Sequence, residues 1–197
     1  MANKLYFKYG TMNSGKTALA LMCKFNYEQK GFNVLLLKSC LDNRDVANDE
    51  IIVKSRVGLT SKCFIFTKDD SIIGIFEKHN KQNKVDVIIV DECQFATTKQ
   101  IDELHFLAQK IPVLCYGLLT DFQTHLFEGS KRLIETAESL QELKSVCDCG
   151  KKATINARFV DNKLCLKGDT LAIEKGNVSY KSVCYKCFSN LVKNNKE

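Results

Sequence analysis

The sequence predicts an α/β fold: a mostly parallel sheet built around a phosphate-binding loop, followed by a small C-terminal cysteine-rich module. Three observations predict it. Continuous apolar runs alternate with polar amphipathic segments, a glycine-rich loop joins the first run to a helical pattern, and paired cysteines gather after Val146, where the apolar runs shorten.

Residues 5–9 are apolar or aromatic apart from Lys8 and predict the first strand. The glycine-rich stretch from Gly10 to Gly15 follows at once. Residues 17–29 carry Ala18, Leu19, Leu21, Met22 and Phe25 at helical spacing, with Gly31 as a stop. Further strands are predicted over residues 33–38, 62–66, 85–90 and 111–117, and Pro112 stands at the start of the last, where a strand tolerates it. Amphipathic segments at 69–78 and 99–110 separate the later runs, as expected of a parallel sheet covered on both faces. The reading gives a nucleotide-binding core over residues 1–146, a module over 147–191, and a basic tail over 192–197, part of the lysine-rich end "LVKNNKE" that reads as frayed. A module of roughly 45 residues buries too little of its own surface to stand alone and needs a staple.

With 197 residues and 45% apolar content, the chain is expected to be globular, one domain with a small satellite. No run approaches the ~18 apolar residues of a membrane span, and the N-terminus lacks the pattern of a signal peptide, so a cytoplasmic location is expected. The ten cysteines are then expected to be reduced, held for burial or for metal. A net charge of +6 suits anionic ligands, nucleotides as much as nucleic acid.

"GTMNSGKT", Gly10-Thr11-Met12-Asn13-Ser14-Gly15-Lys16-Thr17, fits G-x-x-x-x-G-K-[ST] between a strand and a helix. In this pattern backbone N–H groups turn around the phosphates of ATP, the lysine neutralises them, and the Thr17 hydroxyl can hold Mg²⁺. Asp91 ends an apolar strand where a parallel sheet opens its ligand crevice and takes the role of second Mg²⁺-holding group. Beside it, Glu92 would either orient water, in a hydrolase, or take a proton from a substrate hydroxyl, in a kinase. Cys93 and Gln94 complete the segment assigned to the nucleotide site.

Cys147 and Cys149 form C-x-C before Gly150, and Cys184 and Cys187 form C-x-x-C, so four thiolates can satisfy a closed, structural Zn²⁺ site. That supplies the staple. Cys23, Cys40, Cys63, Cys93 and Cys115 lie in or near apolar segments and read as core residues. His79, His105 and His125 lack a second histidine at ligand spacing and read as surface or helix residues.

Together these pieces resemble the type II thymidine kinase family over nearly the whole chain. "GTMNSGKT", "CLDNRD", "SRVGL", "VDECQF", "YGLLTDFQTHLFEGSKRL", "CDCGKKA" and "YKSVCYKC" occur in the family's order, and the short C-x-C form resembles a bacterial branch. The resemblance implies a RecA-like core, a zinc-bearing lasso module over the nucleoside, and Mg-ATP-dependent phosphorylation of the thymidine 5′-hydroxyl, with deoxyuridine also possible. It implies that Glu92 is the general base, that Arg44 faces phosphate, and that Phe122 walls the thymine pocket. It also implies that Leu171, Ala172, Ile173, Glu174 and Lys175 bring backbone groups to the base and that Tyr180 lies against the nucleoside. A homotetramer and feedback inhibition by dTTP are further implications, with no nucleic-acid or membrane partner.

Two other functions fit part of the pattern. A nucleic-acid-stimulated ATPase with a zinc ribbon shares the phosphate loop, the Asp-Glu pair and the positive charge. Against it, the chain is short for a motor and shows no interleaved basic and aromatic stripe. A nucleotide-sensing scaffold would keep the loop without needing Glu92.

Overall fold

The computed structural model describes residues 4–39, 46–47, 50–168 and 177–195. The first half of the core runs β1 (Leu5–Tyr9), α1 (Lys16–Glu28), β2 (Val34–Ser39), β3 (Val46–Ala47), β4 (Glu50–Lys54), β5 (Thr60–Lys62), β6 (Phe64–Phe66) and α2 (Ile72–Gln82). It continues with β7 (Val87–Asp91), α3 (Thr98–Ala108), β8 (Val113–Gly117), α4 (Glu128–Thr136) and β9 (Ser139–Glu142). Six strands form the central sheet in the order β6-β2-β7-β8-β1-β9, and every pairing in it is parallel.

Strand alternation explains how both faces are covered. Leu5, Phe7, Leu35, Leu37, Ile88, Val90, Val113 and Cys115 point to one side, where they pack with Ile72 of α2, Ile101 and Leu104 of α3 and Leu133 of α4. Their neighbours Leu36, Val87, Ile89, Leu114 and Tyr116 point to the other side, against Ala20 and Leu21 of α1 and Val53 of β4. Burial of each such side chain contributes about 1.5–3 kcal/mol relative to exposure, so this two-sided packing is the main support of the core.

Helix starts follow local chemistry. Thr97 and Gln100 close a reciprocal capping box before α3, and the Ser71 hydroxyl accepts from the Gly74 N–H at the start of α2. The start of α1 differs: Gly15 precedes it in a left-handed conformation (φ 79°) and no side chain caps it, leaving its positive end for an anion.

The expected strand over residues 62–66 is divided. β5 pairs antiparallel with β4, β6 joins the edge of the main sheet, and the buried Cys63 lies between them. The strand expected at residue 85 begins at Val87, because Asp86 is occupied outside the ladder: its carboxylate accepts from the Asn33 N–H.

After β9 come β10 (Ser145–Val146), at the end of the core, and then β11 (Lys152–Ala153), β12 (Ile155–Val160), β13 (Lys163–Cys165), β14 (Val178–Val183) and α5 (Tyr185–Asn194) of the module. β10 and β11 form a small antiparallel pair, and β13-β12-β14 form an antiparallel sheet. Cys147, Ala153, Ile155, Ala157, Leu164, Val183 and Cys184 make its small core. Residues 191–194, expected to begin a frayed tail, are the last turn of α5, whose Leu191 and Val192 pack against that core. No helix among the described residues is long and apolar enough to cross a membrane.

Candidate active site and metal centre

The carboxyl ends of β1, β8 and β7 meet at one edge of the sheet, and the phosphate loop leaves β1 there. Gly10 donates its N–H to the Gly117 carbonyl at the end of β8 (3.3 Å). A side chain at Gly10 is excluded by close approach, since a Cβ would lie 2.4 Å from the Leu143 carbonyl oxygen. Asn13 (φ 63°) and Gly15 (φ 79°) take left-handed conformations that curl the loop. Lys16 is buried, and its ammonium donates to the carbonyls of Thr11 (2.7 Å) and Gly10 (3.3 Å) and to the Ser14 hydroxyl (3.4 Å). A phosphate entering the loop therefore meets a lysine already held over it.

Asp91 ends β7 and is 2% exposed. Its carboxyl is raised to about 7, first by burial and then by the neighbouring Glu92, while a hydrogen bond from the Thr17 hydroxyl works the other way. Its Oδ1 is buried with no hydrogen-bond partner among the described residues. A buried carboxylate oxygen left over beside a threonine hydroxyl fits a hard, oxygen-seeking cation such as Mg²⁺, the chemistry expected of Thr17 and Asp91.

The next residue turns sharply. Glu92 has φ 52° and ψ 38°, a left-handed conformation that costs a non-glycine residue about 1–3 kcal/mol and is commonest at working sites. The turn takes its carboxylate out of the buried strand direction, and it stays half-buried. Gln94 holds it: the side-chain amide donates to Glu92 Oε2 (2.6 Å), while Gln94 Oε1 accepts from the Leu118 N–H (3.1 Å). Behind the turn the packing is tight. A Cβ on Gly117 would fall 2.7 Å from Cys93 Sγ and 2.7 Å from Gln94 Oε1, and one on Gly129 of α4 would fall 2.5 Å from the Cys93 carbonyl oxygen. Cys93 is itself fully buried, so it supports the turn from behind.

Phe122 lies in a hairpin closed by the Thr120–Leu126 bridge, and Asp121 Oδ1 accepts from the N–H groups of Gln123 (2.8 Å) and His125 (2.9 Å). Although Phe122 is only 3% exposed, the Arg158 guanidinium of β12 lies over its ring, 4.7 Å from the centroid. Arg158 pairs across the sheet with the half-buried Tyr180 of β14. Arg44 and the five residues Leu171, Ala172, Ile173, Glu174 and Lys175 lie outside the described residues, as does Cys40.

Sequence reasoning passed over the residues that join module to core. Met12 of the phosphate loop donates its N–H to Asn156 Oδ1 (2.8 Å), and its carbonyl accepts from the Ser182 hydroxyl (2.6 Å). The Thr11 and Ser145 hydroxyls are also hydrogen-bonded, and Gln123 Nε2 donates to the Gly168 carbonyl (3.0 Å). A signal was available: Asn156 and Arg158 are polar residues alternating with the apolar Ile155, Ala157 and Phe159, and both are buried.

The four expected metal ligands do converge. The sulfurs of Cys147, Cys149, Cys184 and Cys187 lie within 4.8 Å of one another, and those of Cys149 and Cys184 are 3.6 Å apart. Tetrahedral Zn²⁺ with ~2.3 Å bonds asks for sulfurs about 3.8 Å apart, so the cluster fits such an ion. The short C-x-C spacing works because Gly150 (φ 81°) turns the chain back, with the Cys147 N–H donating to the Lys151 carbonyl (2.8 Å). Cys184 precedes α5 and Cys187 lies in its first turn. N–H groups of Cys149 and Cys184 lower the Cys147 thiol to about 6, whereas hydrogen bonding to the thiols of Cys149, Cys184 and Cys147 pushes Cys187 up to about 12.

Comparison with known proteins decides the family. A family model described as thymidine kinase matches residues 3–188. This chain belongs to the thymidine kinase family. It is 39% identical over 192 residues to a thymidine kinase of Shewanella oneidensis, an alignment covering 96% of this chain and 98% of the relative. It is 40% identical over 183 residues to one of Haemophilus influenzae (92% and 93% covered) and 40% over 187 residues to one of Zymomonas mobilis (94% and 95%). Family membership agrees with the α/β core, the parallel sheet and the C-terminal thiol cluster.

Proposed function

We propose that this chain is a thymidine kinase that transfers the γ-phosphoryl group of ATP to the 5′-hydroxyl of thymidine, giving dTMP and ADP for DNA synthesis. The match to the family over residues 3–188 carries the reading. Phosphoryl transfer asks a protein chiefly for alignment and charge neutralisation. The amides of residues 10–17 and the Lys16 ammonium would hold the β- and γ-phosphates, and Arg44 would add a further positive charge. Mg²⁺, held by Thr17 and Asp91, would supply charge neutralisation between the phosphates. Glu92, fixed by Gln94, would orient the 5′-hydroxyl and accept its proton as the new O–P bond forms and the bond to the ADP oxygen breaks. Phe122 and Tyr180 would flank the nucleoside, with the backbone of residues 171–175 reading the base. Zn²⁺ on the four cysteines would cross-link the module that carries this cover.

Incubation with γ-labelled ATP and Mg²⁺, with thymidine or single-stranded DNA added, tests the reading. Label is expected in thymidine monophosphate. Release as inorganic phosphate stimulated by DNA would mean the ATPase instead, and no release at all would mean a scaffold. The same reading includes a cytoplasmic homotetramer inhibited by dTTP, supported by the family resemblance and checked by sedimentation with and without that nucleotide.

A further inference from the structure

The joint between module and phosphate loop has a form that suggests more than adhesion. Asn156 of β12 and Ser182 of β14 are directly opposed in the antiparallel register. Together they take both backbone polar groups of one residue, Met12, at the centre of the loop. Asn156 is 3% exposed; its Oδ1 takes the Met12 N–H, and its Nδ2 donates to the Thr120 carbonyl (3.5 Å). Two positions along, on the same face of the same two strands, the opposed pair is Arg158 and Tyr180, and Arg158 lies over the Phe122 ring. One face of a short, rigid sheet therefore grips the phosphate loop at one rung and the Phe122 wall at the next. The opposite face, Ile155, Ala157 and Val183, packs into the module's own core beside the thiol cluster.

We infer that Asn156 and Ser182 are positioning residues that couple occupancy of the phosphate loop to occupancy of the nucleoside pocket. The inference rests on the proposed kinase function and deepens it. Phosphates seated in the loop fix the Met12 peptide, Met12 fixes the Asn156–Ser182 rung, and that rung fixes the Arg158–Tyr180 rung against Phe122. By linkage the effect is reciprocal, so nucleoside tightens nucleotide by the same factor as nucleotide tightens nucleoside.

The test is calorimetric titration of the Mg²⁺ complex of a non-hydrolysable ATP analogue into zinc-loaded protein, with and without saturating thymidine. In the unmodified protein thymidine is expected to tighten the analogue by about fivefold or more, the lower end of usual coupling between sites. Ser182→Ala, which removes one hydroxyl, should bring that factor to within twofold of unity while affinity for the analogue alone changes less than threefold. Asn156→Ala should do the same, and Asn156→Asp, which keeps an oxygen for the Met12 N–H, should restore a factor above that of Asn156→Ala. A merely structural role would lower melting temperature without altering the factor. Wild-type coupling retained in Ser182→Ala overturns the inference, as does a factor of unity in the unmodified protein. Should Asn156→Ala fail to fold or lose zinc, Ser182→Ala decides alone. Labelled phosphate failing to reach thymidine in the unmodified protein would instead overturn the kinase reading, a separate result from the binding ratio.

Discussion

The core carries two clusters of buried apolar residues, one on each face of its sheet, and the residues of β2, β7 and β8 serve both by alternation. Among its described residues the module has one cluster of seven buried side chains, and two of them, Cys147 and Cys184, belong to the thiol group. Burial therefore holds the core, while the module adds to its small interior a thiol cluster that could hold a bond-forming ion. The difference teaches that chemistry and enclosure are separable here: the core brings phosphate loop, Asp91 and Glu92 together, and the module contributes the second rank of contacts around them.

The sharpest way to separate the two regions is Glu92→Gln. It should lower kcat about 10²- to 10⁴-fold, leave binding of nucleotide and nucleoside within a fewfold, and leave zinc content unchanged, as steady-state kinetics and metal analysis would show. Near-normal turnover would remove Glu92 from the proton-accepting role. Next in size is the reverse perturbation. Cys184→Ser or Cys187→Ser should abolish stoichiometric zinc and raise KM for thymidine roughly tenfold or more, a loss of about 1.4 kcal/mol in nucleoside binding, with KM for ATP much less affected. Limited proteolysis should then cut after residue 146 and spare the core; an active, well-folded protein without zinc would break the comparison.

How far these regions could be read in advance differs in the same way. Strands of the core announced themselves because continuous apolar runs such as residues 87–90 are buried on both faces, and the phosphate loop and thiol pairs carry fixed spacings. β9 and α4 did not, since Ser139–Glu142 is an edge strand with partly exposed polar residues and Glu128–Thr136 is mostly polar. α5 was hidden by the lysine-rich end, whose basic character says nothing against a helix. In the site, the roles proposed for Lys16, Thr17 and Asp91 follow from motif chemistry. The Asn156–Met12–Ser182 contact does not, because it joins residues up to 170 positions apart and depends on a register that no local pattern states.

Two smaller effects test the surroundings of the Glu92 turn. Gly117→Ala introduces a Cβ into contact with Cys93 Sγ and Gln94 Oε1, each 2.7 Å away. It should destabilise the core by about 1–3 kcal/mol in urea unfolding and lower kcat through loss of the Gln94–Glu92 contact, without changing zinc content. Asp91→Asn replaces a carboxyl that burial raises to about 7, so at pH 7 and above the folded chain no longer carries a disfavoured buried charge. Its melting temperature at pH 8 should rise by about 2 °C or more while activity falls, whereas near pH 4, where the folded carboxyl is protonated, the gain should vanish.

Gly129 gives the turn one more property. With no side chain on Gly129, the backbone of α4 sits directly against the carbonyls of Cys93 and Ala96, where a Cβ would come within 2.5 and 2.7 Å. No side chain lies between helix and turn there, so α4 braces the turn that follows Glu92 directly. The group proposed as the base thus stands on a turn that the packing of α4 supports directly.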